Sequence, residues 1–329
     1  MRKGLPSLIN RRFLRIKVFQ GIYSYHRTEN ADLVKIEKDI FESINKVYDL
    51  YLYLIKLLMH VHRASKEIVE QNRNKKLPSR EDLNPNLRFV QNRVLNALKD
   101  NVQLKQLMKL REIKWDEDHD DVRKIFKLFR EDEAYQLYLI REDESLEIDK
   151  EIVIKLFREY LGVNEIIHSV LEEKDIYWQD DLPIAAITII KTIQDLPEIE
   201  TKNISILADL YKTKKEDQQF VKELLNKSIT FGDDYSELVA THADNWETDR
   251  IALLDMILMK MALSELEHFP TIPIKVSLNE YIELAKVYST PKSKVFINGV
   301  LDKLVAEMKG SKRINKSGRG LVEIGRAHV

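Results

Sequence analysis

Not one cysteine occurs among the 329 residues. That removes disulfides, thiolate nucleophiles and Cys-based metal sites, and it fits a reducing compartment. Glycine and proline are scarce, at nine and eight residues. No cluster of glycines lets the backbone approach a phosphate closely, so neither a P-loop nor a dinucleotide-binding turn is present. Gly310, Gly318, Gly320 and Gly325 fall in the last twenty residues, outside any βαβ unit. No apolar run approaches the roughly 20 residues that span a bilayer, and the basic start lacks the apolar region and cleavage site of a signal peptide. A cytoplasmic protein without a membrane contact is expected. The zinc pattern HExxH is missing, and His60 and His62, two apart, do not share a helical face. Asp180 and Asp181 read as solvated caps. No catalytic residue, metal or cofactor is expected, and the chain is not read as an enzyme.

What is present points to helices. Charged residues make up 33% and hydrophobic residues 44% of a chain poor in loop formers, a balance that predicts an all-α fold with a substantial core. The formal net charge of -1 excludes a globally basic nucleic-acid binder, so any polyanion site must come from local segregation of charge. Such segregation exists. Residues 1 to 27 carry Arg2, Lys3, Arg11, Arg12, Arg15, Lys17 and Arg27 and no acid, whereas residues 116 to 149 hold thirteen acids against five bases.

After the first helix, Ile36, Ile40, Ile44, Val47, Leu50, Leu54, Leu57 and Val61 recur at helical spacing, which predicts one or two long amphipathic helices. The run NKKLPSREDLNPNLRF breaks the pattern with two prolines. Helices are expected to resume at Val90, followed by an acidic, looser stretch to about Lys150. The segments beginning at Tyr177 and Asn245 both read Trp, two residues, Asp and an apolar helix, a weak internal likeness that amphipathic helices also produce by chance. Ser277 and Glu280 have capping-box spacing. Thr290 as N-cap with Pro291 at the first helical position opens another helix.

The segment NRRFLRIKVFQGIYSYHR, residues 10 to 27, combines an apolar helix with four arginines. On a wheel of roughly 100° per residue, Leu14, Ile16, Val18, Phe19, Ile22, Tyr23 and Tyr25 form one wide face that must be buried. Arg11, Arg12 and Arg15 fall at the same angles one to three turns earlier. Buried there without partners they would be costly, so the first turns are expected to project past the end of the bundle. A helix N-terminus with free N–H groups and guanidiniums makes a phosphate cradle. The alternative is that these arginines pair with acids elsewhere in the chain.

The pattern Arg-Arg-x-x-Arg-x-x-x-x-Gln-x-x-Tyr at Arg11, Arg12, Arg15, Gln20 and Tyr23 resembles the first helix of the NusB transcription antitermination family. A stronger resemblance follows in DMILMKMALSELEHFPTIPIKVSLNEYIELAKVYSTPKSKVFINGVLDKL, through Ala262, Glu265, Leu266, Pro273, Asn279, Glu280, Glu283, Leu284, Ala285, Lys286, Phe296, Asn298, Gly299, Leu301 and Asp302. It covers residues 10–27 and 214–309, leaves 28–213 as a helical insertion like those of Bacteroidota, and leaves 310–329 as a tail. The resemblance implies a NusB-like helical bundle without catalytic activity. It implies binding to boxA-type RNA of ribosomal leader transcripts, together with a ribosomal small-subunit protein acting as Nus factor E, in the transcription elongation complex. By the same resemblance Arg11, Arg12 and Arg15 would contact RNA phosphates, with Tyr288, Ser289, Lys292, Ser293 and Phe296 continuing that surface. Asp255 and Lys260 match positions facing the ribosomal partner, and Lys292 stands where other members can carry an acid. Independently of the resemblance, Tyr288 reads either as an exposed stacking platform for single-stranded RNA or as a core contact at a helix end. Gly299 within a helix suggests a neighbouring helix packed closely on it, and Asn298 a structural polar group.

Two other functions compete. NusB-like domains also precede the catalytic domain of some ribosomal RNA cytosine methyltransferases, but those need an α/β nucleotide-binding domain and a catalytic cysteine. A non-catalytic helical scaffold, with the arginines serving the fold, is the second. At the ends, IGRAHV at 324–329 is what one reading frame of a widely used sequencing adapter encodes before a stop, so residues 323–329 read as library artefact. MRKGLPSL reads as upstream sequence.

Overall fold

The structure, a computed structural model, describes residues 7–114, 119–242 and 251–321. The described residues form helices and no extended strand. In chain order these are α1 (Arg11–Arg27), α2 (Leu33–Arg73), α3 (Arg80–Leu83), α4 (Arg93–Asp100), α5 (Val102–Leu110), α6 (His119–Arg130), α7 (Glu133–Ile140) and α8 (Leu146–Lys155). A π-helical turn, Leu156–Leu161, continues α8. There follow α9 (Glu165–Lys174), α10 (Trp178–Gln194), α11 (Lys214–Thr230), α12 (Gly232–His242), α13 (Leu253–His268), α14 (Ile274–Tyr288), α15 (Pro291–Gly310) and a 3₁₀ turn, Gly318–Leu321.

Two compact units divide the chain, one of residues 1–9 and 45–212, the other of 10–44 and 213–329. In the first, the aromatic rings of Phe89, Phe126, Phe129 and Tyr135 pack on one another, with Phe89 and Phe126 stacked at 5.2 Å. The loop after α10 is tied down by tyrosines of α2, since Tyr48 Oη donates to the Ala208 carbonyl at 3.1 Å and the Ala208 N–H donates to Tyr51 Oη at 3.2 Å. Leu8 and Ile9 are buried here, their N–H groups donating to the carbonyls of Asp209 and Leu210 at 2.7 and 3.2 Å. The acidic stretch expected to be loose contains α6 and α7, because Val122, Ile125, Phe126 and Phe129 recur at helical spacing and bury that face. Helices resume at Arg93, where the Asn92 side chain accepts from Leu95 N–H. Asp181, expected in solvent, is 1% exposed.

In the second unit α13 is central and packs against α1, α11, α12, α14 and α15. From Ile257 to Leu266 every residue of α13 is buried, as expected of a helix enclosed on all sides. Asn10 caps α1 by accepting from Phe13 N–H at 2.9 Å. Gly21 allows α1 to meet α2, for a Cβ there would lie 2.4 Å from Ile40 Cδ1. The expected capping box at Ser277 does not form. Helix α14 starts a turn earlier, at Ile274, and both residues of the would-be box are turned to other partners. Thr290 and Pro291 do open α15, with Thr290 Oγ1 accepting from Ser293 N–H at 3.1 Å. Gly299 faces open space, with nothing within 4 Å of the point a Cβ would occupy, so no helix packs on it. Residues 243–250, which hold half of the internal likeness, and 322–329, which hold IGRAHV, lie outside the described residues, as do 1–6.

Candidate nucleic-acid interface

The first turns of α1 fold back onto the unit instead of projecting from it, because each arginine meets a carboxylate. Arg15 is 2% exposed and Glu265 is fully buried. Arg15 Nε and Nη2 each donate to Glu265 at 2.7 Å. Ser277 Oγ donates to the same carboxylate at 2.7 Å and Tyr281 Oη at 3.1 Å. Four donors satisfy the four lone-pair directions of one carboxylate, the condition under which a buried charge is tolerated. Burial, the largest single influence, lowers the Arg15 pKa, but the charge and hydrogen bonding of Glu265, helped by Tyr281 and Glu280, together outweigh it and the net shift is upward. Burial, reinforced by Glu265, raises the Tyr281 hydroxyl well above its usual range. For Arg15, pairing with an acid elsewhere in the chain is what occurs.

Its two neighbours differ. Arg12 pairs bidentately with Glu280, at 2.8 and 2.9 Å, and its side chain stays 49% exposed. The hydrogen bond with Glu280 raises its pKa. Arg11 reaches Asp217 at 3.2 Å with its side chain 38% exposed, and lies over the Phe220 ring. Burial lowers its pKa, partly offset by Asp217. Both border an open groove of about 1130 Å³ whose walls also include Phe220, Ile272, Val276 and Arg319.

The other positions gather at the far end of α14. Tyr288 is half-buried, its ring 5.1 Å from Phe19 of α1, so the contact at a helix end is made. Ser289 Oγ donates to Asp255, which is buried. Ser293 is buried beside its cap, Phe296 is half-buried, and Lys292 is exposed on the first turn of α15. Asn298 donates to Asp302 at 3.3 Å on the surface. Of the two positions implied to face a protein partner, Asp255 is spent on Ser289 and Lys260 is 9% exposed, its pKa lowered by burial. Neither presents a free side chain, because enclosing α13 on all sides also encloses its polar positions.

Glu283 joins the two clusters. Hydrogen bonding to Lys286 holds its pKa down, and Arg12 and Lys294 act on it in the same direction. Arg12 and Lys294, on the first turn of α15, thus both act electrostatically on Glu283 of α14, a relation that sequence spacing did not reveal. Among the described residues no group of three or more His, Cys, Asp or Glu stands ready to hold a metal, and no helix is long and apolar enough to cross a membrane.

A sequence profile of the NusB family matches residues 184–306. The transcription antitermination protein NusB of Listeria monocytogenes serotype 4a is 35% identical over 121 residues, a match that takes in 94% of that protein and 36% of this chain. The chain belongs to the NusB family. Two further NusB proteins are more similar in sequence over a shorter share of their length. That of Salinibacter ruber is 43% identical over 105 residues, 66% of its length and 32% of this chain. That of Chloroherpeton thalassium is 44% identical over 107 residues, 51% of its length and 32% of this chain. The chain thus spans about half to two thirds of these two relatives. No solved structure shows significant similarity to it. The NusB match ends within α15, so the tail after it has no counterpart in the profile.

Proposed function

We propose that this NusB-family chain is an RNA-binding transcription antitermination factor. It takes single-stranded, boxA-type leader RNA on the face of α14 that runs from Arg12 past Glu283 to Lys292, and joins the transcription elongation complex with a ribosomal small-subunit protein acting as Nus factor E. The relatives' name, transcription antitermination protein, supports the role. The observation that carries the RNA reading is the exposure of Arg12 and Lys292 and the part-exposure of Arg11 on one unit that also holds the half-buried ring of Tyr288. An exposed ion pair is worth only about 0–1 kcal/mol, so exchanging Glu280 for a phosphate costs Arg12 little. The first-turn N–H groups of α15 add donors at a positive helix end. The work is assembly, not catalysis.

A titration with boxA-type RNA over a range of salt, with and without the ribosomal partner, tests this. Affinity should fall steeply with salt, and Arg11→Ala, Arg12→Ala and Lys292→Ala together should flatten the log–log slope by about 0.7 for each phosphate no longer neutralised. The internal pairing of Arg15 favours the scaffold alternative, in which that triple substitution leaves affinity and slope unchanged.

A further inference from the structure

The chain beyond α15 is bound to the NusB-like unit by specific contacts. Arg313 bridges Glu267 at 3.0 Å and Asp234 at 2.6 Å. Lys316 Nζ donates to the Phe269 carbonyl at 2.9 Å, and Ser317 N–H donates to the Pro270 carbonyl at 3.0 Å. These donors satisfy carbonyls left over at and beyond the C-terminal end of α13.

Next comes Gly318-Arg319-Gly320, in which each glycine is required for a different reason. Gly318 has φ +52°, in the left-handed region. At Gly320 a Cβ would lie 2.0 Å from the Pro270 carbonyl oxygen, a backbone atom that cannot move aside. The backbone of Arg319 is therefore fixed from both sides. Its side chain is exposed, and no acid among the described residues pairs with it. It borders the same groove as Arg11 and Arg12.

Two constrained glycines thus hold one guanidinium, engaged by none of the described residues, at the rim of a groove that already presents two half-exposed ones. We infer that Arg319 is a phosphate-binding residue for single-stranded RNA, extending the proposed RNA surface from α1 into the tail. The inference rests on the RNA reading given above. A guanidinium fork matches phosphate geometry. Of the acids on the groove, Glu280 is occupied by Arg12, while Glu216 and Glu223 line the α11 wall. A phosphate backbone would accordingly be held by Arg12 and Arg319 rather than by the α11 wall. Ile272, Pro273 and Val276, half-exposed between the walls, offer apolar surface that unstacked bases can cover and a closed duplex cannot.

The test uses the full chain and single-stranded boxA-type RNA. Arg319→Ala should weaken binding roughly three- to tenfold and lower the salt slope by about 0.7, with an unchanged melting temperature, since the side chain pairs with no acid among the described residues. Arg319→Lys should keep the slope and lose part of the affinity. Gly320→Ala, which displaces the backbone of the turn, should follow Arg319→Ala. Weakening by Arg12→Ala but not by Arg319→Ala overturns the inference and leaves the RNA reading intact. Weakening only of the ribosomal partner's association makes Arg319 a protein contact and also overturns it. If the unaltered chain does not bind the RNA, both fall.

Discussion

Arg12 and Arg15 stand one turn apart on α1 and carry the same group, yet their surroundings give them opposite roles. Arg15 shares a buried carboxylate with Ser277 and Tyr281, so Arg15→Ala strands Glu265 without its counter-charge. That should cost about 3–5 kcal/mol of stability in denaturant unfolding. Arg12→Ala removes an exposed pair and should cost less than about 1 kcal/mol. Equal losses in the two variants would contradict the burial argument. His62 supplies a pH test. Burial lowers its pKa to about 4, against which the Val90 carbonyl, accepting from Nε2, only partly works. The unfolded chain takes up this proton near pH 6.5 and the folded chain near 4, so stability should fall as pH drops through that window. The loss approaches about 3 kcal/mol at its lower end. His62→Gln should remove this part of the pH dependence between about 6.5 and 4.5 in thermal melts.

At the scale of helices, two glycines that look alike in sequence differ in what they permit. Gly21 sits where Ile36 and Ile40 of α2 press on α1. Gly21→Ala should destabilise by about 1–3 kcal/mol through overpacking, and Ile40→Ala in the same chain should relieve part of that loss. Gly299 meets open space, so Gly299→Ala should stabilise α15 by up to about 1 kcal/mol, read as a higher melting temperature. Helix starts show the same contrast. Thr290-Pro291 was legible because a cap and its proline act within one turn of chain. Ser277 and Glu280 have equally good local spacing, but Glu265 and Arg12 compete for them from distant parts of the chain and win.

At the scale of the molecule, the unit that includes residues 45–212 has an aromatic core of its own, distinct from the buried apolar residues around α13. Phe129 is fully buried in it, against Tyr135 at 5.2 Å and Tyr160 at 5.1 Å. Phe129→Ala should lower stability by about 3–5 kcal/mol. At room temperature it should leave RNA affinity unchanged, because the proposed surface lies on α1, α14 and α15. A loss of affinity at a temperature where the variant is still folded would give the unit that includes residues 45–212 a part in binding.

The amino-acid sequence by itself determined the helical class, the lack of a metal or nucleotide motif, the capped start of α15 and the family motifs on α13 to α15. These follow from periodicity, composition and short-range spacing. Only the tertiary structure decided which arginine is surface and which is core. A wheel assigns Arg15 an angle but cannot see that Glu265, an acid in an apolar run, turns inward to meet it. The same holds for Arg319, whose place on the groove depends on a glycine meeting the carbonyl of Pro270. Charge pairing and close backbone approach are long-range in sequence and short-range in space, so they are settled only when the chain folds.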